Sequence, residues 1–126
     1  MAWARGNRTD YDTWAEAGNA GWDFDSLLPL FKMAEDWERG ASAFRGAGGP
    51  IRVERVRNLD PVPAALIDAG RSCGMPYLDD MNVPEPEGVG RMNVDVRDGT
   101  RCSPSRAYLW PVMGNTRLTV LKGICG

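Results

Sequence analysis

The sequence predicts an α+β chain in which helices and short strands are separated by long turns. Three observations carry that expectation. Apolar residues recur at helical spacing in several segments, apolar and polar residues alternate in others, and the 126 residues include 15 Gly and 9 Pro. Gly and Pro together make about a fifth of the chain, against roughly 12% in an average protein, so much of the backbone must be turn and loop.

The first helix is expected over Thr9–Ala17, with Thr9 as its cap, Asp10 and Asp12 in the first turn and Gly18 as a left-handed exit. Tyr11, Trp14 and Ala15 fall on one stripe. A second helix is capped by Asp23 or Asp25 and carries Leu27, Leu28, Leu30, Phe31, Ala34 and Trp37 as a wide apolar face, ending at Gly40. Pro29 fits this helix near its first turn and otherwise kinks it. The glycine-rich turn Gly46–Pro50 leads into a strand, Ile51–Arg55, with Ile51 and Val53 inward and charge outward. Pro61–Cys73 has helical period, with Val62, Ala65, Leu66, Ala69 and Cys73 as its stripe and Gly74 as its stop. After a loop over residues 75–90, Met92–Val96 alternates as a strand and Asp98-Gly99 forms a tight turn. Ser103-Pro104 opens a short helix that runs to Trp110 and ends at Pro111. Arg117–Leu121 is the last expected strand.

Composition excludes several function classes. A net charge of −2, with 13 Arg and 2 Lys dispersed among 17 acidic residues, makes no basic patch for nucleic acid. No apolar run approaches the roughly 20 residues of a membrane span, and the polar N-terminus has no signal-peptide core. Cys73, Cys102 and Cys125 are odd in number and far apart, which points to neither a disulfide framework nor a redox pair. A cytoplasmic, reducing setting is the expectation. The chain contains no His, which removes the commonest general base and the His-based nucleophile and zinc arrangements.

Two stretches imitate binding motifs. Gly46-x-Gly48 has Ile51 where a dinucleotide loop needs its third glycine, and follows a predicted helix where a strand is required. Asp80-x-Asn82 begins like a calcium loop, yet Glu85 stands at the glycine position and Arg91 at the closing glutamate position. Both are read as turns, and no metal site is expected. Trp14, Trp22 and Trp37, spaced among leucines, are expected in the core.

A series of short segments, in order, is more specific. Trp3-Ala4-Arg5-Gly6 with Asp10-Tyr11-Asp12-Thr13-Trp14 is followed by Gly18-Asn19-Ala20-Gly21-Trp22 and Leu28-Pro29-Leu30-Phe31-Lys32 with Glu35. Then come Phe44-Arg45-Gly46, Gly48-Gly49-Pro50-Ile51-Arg52-Val53, Asp79-Asp80-Met81-Asn82, Glu87-Gly88-Val89-Gly90, Gly99-Thr100-Arg101-Cys102-Ser103, Ala107-Tyr108-Leu109 and Leu118-Thr119-Val120-Leu121. This series resembles an internal stretch of the glucose–methanol–choline (GMC) FAD-dependent oxidoreductases, with the choline dehydrogenase-like and alcohol dehydrogenase-like branches nearest. Arg45 replaces a histidine of the family pattern.

The resemblance implies a fold made of part of an FAD-binding α/β domain and part of a substrate domain with a mainly antiparallel sheet. Residues 1–45 would extend the FAD-binding part, 46–103 would supply strands and a helix of the substrate domain, and 104–126 would return to the FAD domain. It implies oxidation of the CH–OH group of choline or a primary alcohol, with hydride passing to FAD. Met1, Ala2 and Trp3 would lie beside the flavin ring; no residue receives a catalytic role. The family's Gly-x-Gly-x-x-Gly turn and catalytic histidine have no counterpart in these residues. The expectation is therefore a fragment that neither holds FAD tightly nor oxidises an alcohol by itself. The alternatives are one part of a split flavoenzyme, completed by a complementing polypeptide, and a non-enzymatic remnant acting through a protein partner.

Overall fold

A computed structural model describes residues 2–123. Helix α1 (Arg8–Glu16) opens one residue earlier than predicted, because the cap is Asn7 and not Thr9. The Asn7 side chain accepts from Thr9 N–H, and Asp10 reaches back to the Asn7 N–H, which closes a capping box. Gly18 takes the left-handed exit, with φ 100°. Helix α2 (Phe24–Ala34) is capped by Asp23, which accepts from Ser26 N–H and Ser26 Oγ–H. These bonds, the side-chain one first, hold the Asp23 carboxyl below its usual range. Pro29 lies in the second turn of α2, where its missing N–H frees the carbonyl of the exposed Asp25 to water.

The largest departure from the predicted elements comes at the end of α2. The apolar spacing carries the helix through Trp37, but the chain turns extended at Glu35 (φ −108°, ψ 152°), and Glu35–Trp37 becomes strand β1. The cause is tertiary. Strand β2 (Ile51–Arg55) pairs with β1 in parallel, Glu35 opposite Ile51 and Trp37 opposite Val53. The Gly46–Pro50 turn folds back along β1, where Trp37 N–H donates to Gly46 O and Gly49 N–H donates to Glu35 O. A long-range ladder thus takes over backbone groups that a further helical turn would have used.

The other edge of β2 pairs antiparallel with β5 (Asn93–Val94), giving a three-stranded sheet in the order β1-β2-β5. Trp37, Ile51 and Val53 form its buried apolar cluster, with Trp3 and Ala107 packed against them. The predicted strand over Met92–Val96 is broken at Asp95 into β5 and β6 (Val96–Arg97). Its alternation survives with polar members inside: Asn93 and Asp95 are buried while Met92 is exposed. Strands β6 and β7 (Thr100–Arg101) form a hairpin over Asp98-Gly99, both at positive φ (52° and 69°), the conformation a two-residue hairpin turn requires. In the predicted loop, β3 (Tyr77–Leu78) and β4 (Val89–Gly90) make a short parallel pair.

Helix α3 (Pro61–Ser72) forms as predicted but presents the opposite face. Val62 and Leu66 are 71% and 67% exposed, and Ala65, Ala69 and Cys73 are exposed with them. The half-buried stripe is Ala64, Ile67 and Gly70, where Gly70 admits the Val89 side chain of β4. Leu66→Gln is accordingly expected to change stability by no more than about 0.5 kcal/mol. Ile67→Ala should cost roughly 1–2 kcal/mol, about half of a fully buried truncation. Urea midpoints of the two variants measure the contrast, and a larger loss for Leu66→Gln would restore the predicted face.

Beyond the hairpin, Ser105–Leu109 is a π-helical turn that runs into a 3-10 turn, Trp110–Val112, so Pro111 lies inside the helical stretch and does not end it. Arg117–Leu121 is not a strand: it leaves a turn at Arg117 and has no regular structure from Leu118 on. A strand exists only by pairing, and no strand among the described residues runs beside it. Of the tryptophans expected in the core, Trp37 is buried. Trp14 and Trp22 are 47% and 52% exposed, because Tyr11 is the α1 ring that packs towards α2, against Phe24 and Phe31.

Candidate functional site

The chain ahead of α1 crosses the sheet as an added segment. Ala2 bridges Val94 in antiparallel sense, and Trp3 N–H donates to Asn93 O at 2.8 Å. Extended backbone sends successive side chains to opposite faces. Trp3 and Arg5 therefore point inward, while Ala2 and Ala4 are exposed on the outer face.

The inward face is organised around a fully buried carboxylate, Glu35, placed by the switch from α2 to β1. Its Oε2 accepts from Trp3 Nε1 at 2.9 Å, and its Oε1 accepts from Arg5 Nη2 at 2.6 Å and from Gly46 N–H at 2.7 Å. Arg5 also donates to Phe44 O. Arg45, buried on the other side, sets Nη1 3.5 Å from Glu35 Oε2 and Nε 3.4 Å from Asp80 Oδ2, and stacks its guanidinium 4.0 Å from the Trp37 ring centroid. None of the Arg45 nitrogens finds a well-aligned hydrogen bond. Burial lowers the Arg45 pKa, and the charges of Glu35 and Asp80 oppose that shift. Of the two arginines against this carboxylate, Arg5 is held by directed bonds, whereas Arg45 is held by charge and stacking.

Asn82 completes the cluster. Its Oδ1 accepts from Arg5 N–H at 2.8 Å, and its Nδ2 donates to Trp3 O at 3.0 Å and to Asn93 Oδ1. No sequence motif marks this constellation as a unit. Arg5, Glu35, Arg45, Asn82 and Asn93 share no local spacing, and only the order of the sheet brings them together.

Of the three residues that the resemblance sets beside the flavin, Met1 lies outside the described residues. Trp3 has its indole committed to Glu35 and the Trp37 cluster, and its N–H and C=O both engaged. Ala2 is exposed, and Ala4 shares its face. The two exposed methyl groups make a small apolar shelf, chemically compatible with a ring system. The shelf is not at a helix N-terminus, where backbone N–H groups would cradle a pyrophosphate. The buried carboxylate beneath the shelf is taken up by its own cations and is not a free base. Among the described residues, no group of three or more Cys, Asp or Glu side chains could hold a metal ion, and no helix is long and apolar enough to cross a membrane.

A family model described as GMC oxidoreductase matches residues 1–125. The chain is 41% identical over 126 residues to an oxygen-dependent choline dehydrogenase of Photobacterium profundum, covering 98% of this chain and 22% of that protein. It is 40% identical over 118 residues to the mitochondrial choline dehydrogenase of Homo sapiens, covering 94% of this chain and 20% of that protein. Among solved structures, pyridoxine 4-oxidase from Mesorbium loti superposes with a TM-score of 0.89 at 35% identity, over 96% of this chain and 24% of that one. An FAD-dependent oxidoreductase from Chaetomium thermophilum gives a TM-score of 0.79 at 26% identity, over 90% of this chain and 22% of that one. The chain thus spans about a fifth of the length of the curated relatives it matches.

Proposed function

Because the chain belongs to the GMC oxidoreductase family, we propose that its residues form the part of an FAD-dependent alcohol oxidoreductase that lies along one side of the flavin ring. The substrate class we assign is choline or a primary alcohol. The observation that carries this reading is the Ala2/Ala4 shelf, clamped from beneath by Glu35 and Asn82, at the point where the resemblance sets the cofactor. FAD, when bound, supplies the two-electron oxidant for the alcohol carbon. The residues of this chain hold the shelf flat, fill the space beneath it with Trp3, and keep water from that side of the ring. The division at 45/46 and 103/104 into FAD-domain, substrate-domain and returning segments belongs to the same proposal.

The test is a chimera in which these residues replace the matching stretch of the Photobacterium profundum relative. Retained yellow flavin with choline- or alcohol-dependent dye reduction is expected. A folded chimera that loses its flavin would sink the proposal.

The polypeptide of 126 residues by itself is expected to keep no flavin through gel filtration and to reduce no dye when FAD and choline are added. It has no Gly-x-Gly-x-x-Gly turn for the pyrophosphate and no histidine to take the hydroxyl proton. Flavin absorbance co-eluting with the protein, or dye reduction that needs both additions, would overturn this expectation.

A second reading, completion by another polypeptide, is favoured by the uncovered apolar faces. Val62 and Leu66 on α3, and Leu30 and Met33 on α2, are all more than half exposed. In that reading a chain bearing the dinucleotide turn and a histidine restores flavin binding on mixing, and its failure to do so would leave the first reading alone.

A further inference from the structure

The ladder that fixes the N-terminal segment is only partly made of backbone. Strand β5 receives Trp3 N–H through Asn93 O. The next groups along, Trp3 C=O and Arg5 N–H, meet the carboxamide of Asn82. That amide spans the carbonyl before Ala4 and the N–H after it, the pattern in which one residue of a parallel strand would pair with Ala4. Its orientation is fixed chemically, since Arg5 N–H can only donate and Trp3 C=O can only accept. Both Nδ2 hydrogens are used, the second on Asn93 Oδ1. Asn82 is itself held: it is 2% exposed, and its N–H donates to Asp80 Oδ1 at 2.9 Å.

We infer that Asn82 is a positioning residue that stands in for a missing strand. It sets the backbone of Ala2–Arg5 and so the plane of the Ala2/Ala4 shelf. The inference rests on the proposed reading for what the shelf faces, but not for how the shelf is held. No other described side chain supplies both a donor and an acceptor to this stretch of backbone. Alanine at this position removes both bonds. Aspartate keeps an acceptor for Arg5 N–H and replaces the donor to Trp3 C=O by a second acceptor, so the two variants break the contact differently.

The experiment is amide hydrogen exchange on the isotopically labelled 126-residue chain, read by NMR for wild type, Asn82→Ala and Asn82→Asp, together with flavin retention by the chimera with and without Asn82→Ala. Exchange reports local opening residue by residue, so Asn82→Ala should speed Arg5 exchange at least ~10-fold while Val53, in the core of β2, changes less than ~3-fold. In Asn82→Asp the Arg5 amide should stay within ~3-fold of wild type, because its acceptor remains. Unchanged Arg5 exchange in Asn82→Ala, or Arg5 and Val53 accelerating together, would overturn the positioning role. In the chimera, where the relative supplies the pyrophosphate turn, Asn82→Ala should release flavin that the unsubstituted chimera retains. Flavin retained equally in both would overturn the link between Asn82 and the shelf, whereas flavin lost from the folded, unsubstituted chimera would overturn the flavin reading. The two failures are read on different proteins.

Discussion

Glu35→Ala is expected to remove most of the stability of this chain. The carboxylate has no exposed surface, and it accepts from Trp3, Arg5 and Gly46 while facing Arg45. Without it, two guanidinium groups whose side chains are each 3% exposed lose their shared counter-charge. Removing one partner of a buried ion pair costs about 3–5 kcal/mol, since the charge left behind stays out of water. A whole domain is stable by only about 5–15 kcal/mol, and among the described residues the buried apolar ones are few: Phe24, Trp37, Ile51, Val53 and Cys102. Urea unfolding followed by the near-ultraviolet circular dichroism of the five tryptophans is the measurement. Glu35→Gln, which keeps the shape and one acceptor oxygen, should fall between wild type and alanine. A loss under about 1 kcal/mol for Glu35→Ala would mean that Arg5 and Arg45 reach water and that the cluster does not carry the fold.

Gly46→Ala should be as damaging for a different reason. A Cβ at position 46 would lie 1.8 Å from the Lys32 carbonyl oxygen and 2.7 Å from the Lys32 Cα. Those are backbone atoms of α2, so relief requires moving the helix end away from the 46–50 turn. That movement would also loosen the Gly46 N–H bond to Glu35 and the Trp37 N–H bond to Gly46 O. The expected loss exceeds about 3 kcal/mol, the upper end of ordinary overpacking, because strain and broken bonds add. Gly48 is the control: it sits at φ 79° with open space around its Cα, so alanine there costs only the left-handed conformation, about 1–2 kcal/mol. Chemical denaturation of both variants decides, and equal losses would show that the close approach of the turn to α2 is not what requires glycine.

Residues that act through their neighbours in sequence were legible. Asp23, the Asp98-Gly99 turn, the Ile51–Arg55 alternation and the Pro61 helix start each express a preference settled within a few residues. The ordered series of short segments likewise named the family, because it needs only order and spacing. For the candidate site, the resemblance proposes Met1, Ala2 and Trp3 beside the flavin, while the split between an exposed alanine face and an inward Trp3, and the contacts of Asn82, became visible only in the structure.

What the sequence by itself determined, then, is the α+β class, the family and the bounds of α1, β2 and α3 to within about a residue, since these depend on local propensity and order. Tertiary structure alone decided three things. It cut α2 short at Ala34, because the 46–50 turn and β2 offered Glu35–Trp37 a ladder that outweighed helical spacing. It chose Ala64, Ile67 and Gly70 over the more apolar Val62–Leu66 stripe as the packed face of α3, because Gly70 alone leaves room for Val89. It filled the heart of the sheet with Glu35, Arg45, Asn82, Asn93 and Asp95, which hydropathy places on the surface. Charges and amides can be buried only where partners meet them, and those partners are tens of residues apart in the chain, so no local pattern could announce them.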